Sequence, residues 1–299
     1  MKVFIIAIDA LEYYYIKKRK YFKNLRQVEF GKVDPCNPEL LSPIIWSSFL
    51  TGKTSEEHGV DRIPFNNSFG DVLNFGLKVL NYFNIKPGFS TQYKIRKFFG
   101  INKIFPKPKG KTFLDFAESK CVNFPCINYD FEEGAQPTYD WSLGKISVYK
   151  MKRQLFKAQE KYERDVFESL DDDWNLFACY FPLLDFVQHI LYFDKNVVEK
   201  TYEIMDSFVK KIKDFLSKDD IILIVSDHGS VNVIEDKSLI GDFGHPSHSN
   251  WGYYSINRKM NLKNPRIIDF FNIIRNFFGA LTEEEEEKIK KHLRELGYF

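Results

Sequence analysis

Three short, almost wholly apolar runs stand out along the chain: VFIIAI (3–8), WNLFACYF (174–181) and IILIV (221–225). Runs this short, branched or aromatic, and lacking polar alternation predict strands buried on both faces of a parallel sheet. Between the second and third, Val197 to Ser217 places Val198, Ile204, Met205, Phe208, Ile212 and Phe215 at helical spacing, and Ile146 to Leu170 is helical in pattern as well. Ser42-Pro43 reads as a helix start, a serine cap followed by proline at the first helical position. Ile44 to Leu50 continue that helix and Gly52 stops it. Thr112 to Lys120 reads as a helix, Cys121 to Asn128 as a further strand, and Tyr253 to Ile256 as a strand late in the chain. Strands alternating with helices predict an α/β fold with a mostly parallel central sheet and helices on both faces. The expectation is one catalytic domain over residues 1–299, with cap or lid insertions at about 65–111 and 129–145.

Composition changes this picture little. A formal net charge of +2 gives no electrostatic case for nucleic-acid binding. The basic stretch from Lys94 to Lys111 reads as a solvated face. The four cysteines, Cys36, Cys121, Cys126 and Cys179, lack metal-knuckle or redox spacing and read as reduced, mostly buried thiols. The first apolar run ends after six residues, too short for a signal-peptide core, and no window approaches a membrane span. The chain reads as soluble and cytoplasmic, with no membrane partner.

The candidate chemistry sits where the predicted strands end. Ligands in open α/β sheets lie beyond the carboxyl ends of the strands, and the third run delivers Asp227 and His228 there. Both side chains are good ligands for a divalent ion such as zinc. Asp9 ends the first run, although a lone Asp there is usually a cap or turn residue. After the second run, Asp185 and His189 are four apart, which puts them on one helical face where they can grip one ion; a capping Asp and a packed His are the alternative. Of six histidines, His58, His189, His228, His245 and His248 all fall within these informative segments.

Together these segments resemble the alkaline phosphatase superfamily in its type I phosphodiesterase/nucleotide pyrophosphatase branch. SPIIWSSFLTGKTSEEHGV (42–60) is similar to the nucleophile motif, with Ser42, Pro43, Thr51-Gly52 and His58-Gly59-Val60. The D-x-x-x-H of Asp185 and His189, one helix, and then S-D-H-G at 226–229 follow in the family's order. His248, with Gly252 four residues on, fits the last ligand position, and His245 is its rival. The resemblance implies a covalent phospho-Ser42 intermediate. It also implies two divalent ions, zinc by preference and manganese as the other candidate. One would be held by Asp9, Asp227, His228 and the Ser42 oxygen, the other by Asp185, His189 and His248. Such a pair clamps the attacking and leaving oxygens of a phosphoryl displacement. Asn66 and Asn67 stand near, though out of register with, the asparagine that binds a phosphate oxygen. The implied partner is a small-molecule phosphodiester or nucleotide. A phosphomonoesterase or phosphomutase of the same superfamily, or a non-catalytic nucleotide-binding member, is the alternative.

Overall fold

The structure, a computed structural model, describes residues 1–61, 105–236 and 247–295. Asn66, Asn67, His245 and most of the expected cap at 65–111 lie outside the described residues. The centre is a six-stranded sheet built from β1 (Val3–Ile8), β2 (Glu29–Val33), β3 (Ser119–Val122), β4 (Leu176–Phe181), β5 (Ile221–Ser226) and β8 (Gly252–Ile256). Their order across the sheet is β2-β8-β5-β1-β4-β3. β1 pairs in parallel with β4 on one side and β5 on the other, and β3 extends the parallel set. β8 runs antiparallel to both β5 and β2. The sheet is therefore mostly parallel, with one reversed strand near an edge.

The absence of alternation in β1 follows from what covers it. Phe4, Ile6 and Ile8 pack on one face against α5 (Val148–Glu168), α6 (Leu183–Ile190) and α7 (Lys195–Phe215), while Val3, Ile5 and Ala7 pack on the other against α2 (Ser42–Thr51) and α8 (Asp269–Phe278). All six side chains are fully buried. Each larger one contributes roughly 1.5–3 kcal/mol relative to exposure, which pins the register and so the position of the residue that follows, Asp9. α5 begins at the Ser147 cap and α7 at the Asp194 cap, each side chain accepting a backbone N–H. Residues 129–145 contain α4 (Phe131–Ser142), whose Ala135 and Tyr139 pack with Phe186 of α6. All four cysteines are free, Cys126 and Cys179 buried and Cys36 exposed.

Two sequence expectations give way. Strand pairing in the 121–128 stretch ends at Val122, and β3 starts earlier, at Ser119. Beyond it Asn123 and Cys126 take positive φ, Pro125 removes a donor, and the Asn128 side chain bonds Phe124 N and Cys121 O, so the chain turns. The predicted helix at 112–120 is correspondingly only a 3₁₀ turn, Phe113–Phe116, with a Thr112–Asp115 capping box.

Edge strand β2 is anchored by Glu29. Its carboxylate accepts the N–H groups of Met260, Asn261 and Leu262, each at 2.7 Å, and the Tyr254 hydroxyl at 3.1 Å. Burial opposes ionisation, but these donors outweigh it and hold the carboxyl below its ordinary range. A depressed folded-state pKa contributes stability above the unfolded value of about 4.3, and this is lost as pH falls through the folded one. Glu29→Gln is therefore expected to cost about 1 kcal/mol at pH 7, allowing for solvent screening at this edge. The gap to wild type should narrow as pH falls below the ordinary carboxylate range, as urea melts at neutral and acid pH would measure.

Candidate active site

Because β5, β1 and β4 are parallel neighbours in register, their carboxyl ends open on one edge of the sheet. Asp9 follows β1 directly and Asp227 follows β5. Asp185 and His189 lie one helical turn apart on α6, which starts two residues after β4 ends. A two-residue ladder, β6 (Gly229–Ser230) with β7 (His248–Ser249), pairs Ser230 with His248. It lays the His248 ring against that of His228, with centroids 3.8 Å apart and planes within 12°.

Ser42 is the first residue of α2, not its cap. Leu41 holds the cap position and makes no side-chain capping bond, and Pro43 sits in the first turn. The capping role expected from the sequence fails because the Ser42 hydroxyl faces the site, its Oγ 3.4 Å from His228 Nε2. Gly52 does end the helix, with φ 68° and its N–H bonded to Ser48 O.

The candidate residues form two compact groups. Asp185, His189 and His248 offer ligand atoms within 4.8 Å of one another, as do Asp9, Asp185 and His228. Asp185 therefore stands within reach of both. Asp227 lies outside these triads but places Oδ2 3.5 Å from His228 Nε2, and Asp9 Oδ1 approaches the same nitrogen at 3.4 Å. His189 Nε2 is 3.1 Å from Asp185 Oδ1 and 2.9 Å from His248 Nε2.

Ring orientation is set from behind. The Nδ1 of His228 donates to the Gly229 carbonyl at 3.1 Å, and that of His248 donates to the Leu40 carbonyl at 3.3 Å. A carbonyl can only accept, so each Nε2 carries its lone pair toward the site, the usual arrangement behind a metal-binding imidazole. The carboxylates report the same need for a cation. Among the described residues no hydrogen bond reaches Asp9 Oδ1 or either oxygen of the fully buried Asp227. Burial, added to by Asp227 and Asp185, pushes Asp9 well above the carboxylate range, and burial lifts Asp227 to about 7 against the nearby Ser42 hydroxyl. Burial works against ionising Asp185 too, but the His189 imidazole outweighs it and holds that carboxyl low. Buried carboxylate oxygens left open beside imidazole lone pairs fit a divalent ion.

Two residues at the site were not singled out from the sequence. Tyr180, in β4, donates its buried hydroxyl to Asp9 Oδ2. Glu12, three residues after Asp9, is a fully buried carboxylate whose partners include Ser249 and Trp251. His58, by contrast, belongs to the nucleophile motif yet lies apart from both triads. It is buried, its Nδ1 accepts from Val60 N, and its Nε2 lies 3.0 Å from Ser48 Oγ, so it fastens the 54–60 loop to α2. A surface cleft of about 670 Å³ between α5 and α7 contains none of the candidate residues.

The mostly parallel sheet, the carboxylates and imidazoles gathered at its strand ends and the serine at a helix start together define a mixed α/β protein with one candidate site. The sequence profile of the type I phosphodiesterase/nucleotide pyrophosphatase family matches residues 3–264, and the chain belongs to that family. A comparison with curated proteins returns no match. Among solved structures, the chain is similar to a protein of Pyrococcus horikoshii, with 13% identity over 94% of this chain and 98% of that one, and a TM-score of 0.44. It is also similar to murine ectonucleotide pyrophosphatase/phosphodiesterase 5, with 14% identity and a TM-score of 0.42, covering 81% of this chain. The chain spans 62% of the murine protein's length. The human counterpart gives 12% identity and a TM-score of 0.40 over 77% of this chain and 57% of that one. No described helix is long and apolar enough to cross a membrane.

Proposed function

We propose that this protein is a two-metal-dependent hydrolase that cleaves small phosphodiesters or nucleotide pyrophosphate bonds through a phospho-Ser42 intermediate. Family membership supports the reaction class. One observation carries the mechanism. The Ser42 hydroxyl and the carboxylates of Asp9 and Asp227 all approach the same nitrogen, His228 Nε2, at 3.4–3.5 Å. In a serine–histidine–carboxylate relay the acid would hold Nδ1 and the serine Nε2. Here Nδ1 is bound to a backbone carbonyl, and the other groups converge on the opposite side as ligands do around an ion.

The ions, held by Asp9, Asp227, His228 and Ser42 and by Asp185, His189 and His248, with Asp185 within reach of both, would neutralise phosphate charge and lower the hydroxyl pKa of Ser42. The donor set suits zinc, and manganese is the second choice. Ser42 Oγ attacks phosphorus, its proton leaves to solvent, and the ester oxygen opposite departs with the electron pair of the broken P–O bond. Water then displaces Ser42 from phosphorus and the hydroxyl is restored. The N-terminus of α2, which Ser42 opens, adds partial positive charge beside the phosphoryl group. On this reading the chain is a single catalytic domain. The deciding assay compares a bis-p-nitrophenyl phosphodiester with p-nitrophenyl phosphate on zinc- or manganese-loaded protein. Diester preference is the expected result; monoester preference would move the chain to phosphatase chemistry, and turnover of neither would discard the hydrolase reading.

Metal uptake should also be pH-linked. The Asp185 carboxylate holds the proton of His189 up to about 9, and an ion must displace that proton. The folded-state pKa is raised, so proton competition is strongest at low pH and disappears above about 9. Apparent zinc affinity should rise roughly tenfold per pH unit between about 7 and 9. Calorimetry in buffers of different ionisation enthalpy should register the released proton.

A further inference from the structure

We propose that Glu12 is the positioning residue of this site, a single buried carboxylate that fixes the ligand-bearing segments relative to one another. The proposal rests on the two-metal reading above. Glu12 caps α1 (Tyr13–Lys18), with Oε1 accepting Tyr14 N at 3.0 Å. A cap alone needs only a short polar side chain at the surface, whereas Glu12 is fully buried and its remaining capacity goes to distant parts of the chain. Oε2 accepts the Ser230 N–H at 3.0 Å and the Ser249 hydroxyl at 2.8 Å, and Oε1 accepts the Trp251 indole N–H at 3.2 Å. Ser230 lies two residues after His228, and Ser249 follows His248.

The main chain of the same residue reaches the remaining ligand helix. Glu12 N donates to the Tyr202 hydroxyl at 3.2 Å, and that oxygen also accepts from Gln188 Nε2 at 3.0 Å. Gln188 precedes His189 on α6, and its carbonyl accepts from Asn232 Nδ2 at 3.1 Å. Through one or two hydrogen bonds, then, Glu12 joins the segments of Asp9, His228, His248 and the Asp185–His189 pair. Gly229 is the complementary feature: a Cβ there would sit 2.1 Å from Glu12 Oε2 and 2.4 Å from Ser249 Oγ. The residue after the Asp-His pair lacks a side chain because this carboxylate occupies the space.

The chemistry selects an acid. Four donors converge on one side chain, and only a carboxylate of this length accepts at both ends without presenting a donor. Glu12→Gln keeps the shape but turns an NH₂ onto two of the donors. Partners that bond a ligand side chain directly govern metal affinity by about 10–100-fold, and Glu12, which acts one step further out through the segments carrying the ligands, is expected at the lower end of that range. The test is Co²⁺ titration of wild type and Glu12→Gln, following the visible absorption bands, with the melting temperature of the metal-free proteins in parallel. Co²⁺ affinity at least about tenfold weaker, with shifted bands, is the expected result. A lower melting temperature with wild-type affinity and bands would make Glu12 merely structural and overturn the proposal. Should Glu12→Gln not fold, Ser249→Ala, which removes one of the four donors, should show a smaller change of the same sign, and no change in affinity or bands would again overturn it. Wild-type protein that takes up no Co²⁺ would instead sink the two-metal reading beneath it.

Discussion

Replacing Asp185 with asparagine should strip the protein of most of its bound metal and lower diester hydrolysis by at least about 10³-fold. The reasoning is geometric. Asp185 belongs to both compact ligand groups, one with His189 and His248 and one with Asp9 and His228. It is also the carboxylate most ready to bind a cation, because the neighbouring imidazoles keep it ionised against burial. An amide of the same shape keeps the packing of α6 but loses the charge. His189→Ala should behave differently, leaving the group of Asp9, Asp185 and His228 intact and retaining about one equivalent of metal. Equilibrium dialysis followed by elemental analysis separates the two variants. Two equivalents retained by the Asp185 variant would refute its placement between the sites.

Ser42→Ala should leave both ions bound yet lower turnover by about 10⁴-fold or more, since no other described hydroxyl is hydrogen-bonded to His228 Nε2 to take its place. Stability should stay within about 0.5 kcal/mol of wild type, because the hydroxyl does not cap α2 and its removal costs the helix no hydrogen bond. Loss of activity without loss of stability or metal is the signature of a nucleophile. Acid-quenched wild-type protein should carry a phosphoryl group that the variant lacks. An active, unlabelled Ser42→Ala protein would point to direct attack by water.

The fold was legible where burial was complete. β1, β4 and β5 are covered on both faces, so their sequences are continuously apolar and the residues after them, Asp9 and Asp227, could be placed at the sheet edge in advance. β2 escaped notice because EFGKV is a half-buried edge strand whose pairing depends on β8, more than 200 residues away. The β6–β7 ladder is two residues long and has no periodicity to read. At 121–128 apolar content suggested a strand, but Asn123, Pro125 and Asn128 turned the chain. The site itself was legible as a set of ligand types, whereas the Tyr180–Asp9 contact and the connections of Glu12 were not. Both join residues separated by most of the chain, and a buried Tyr or Glu has no local spacing that marks it. The shared position of Asp185 was likewise invisible, since sequence order says nothing about which neighbouring group a carboxylate faces.

The spread of these groups along the chain, from Asp9 to His248, bears on how the molecule is made. Contacts of such high sequence separation form late and slowly, because long loops must close before they are rewarded. His248 lies four residues before the start of the reversed strand β8, which locks against β5. A ribosome-bound chain that has exposed only its first two hundred residues holds Asp9, Asp185 and His189 but neither His228 nor His248. On the two-metal reading its affinity for an ion is correspondingly low, and metal capture belongs to the last stage of maturation, where it would select completed molecules over partly folded ones by mass action.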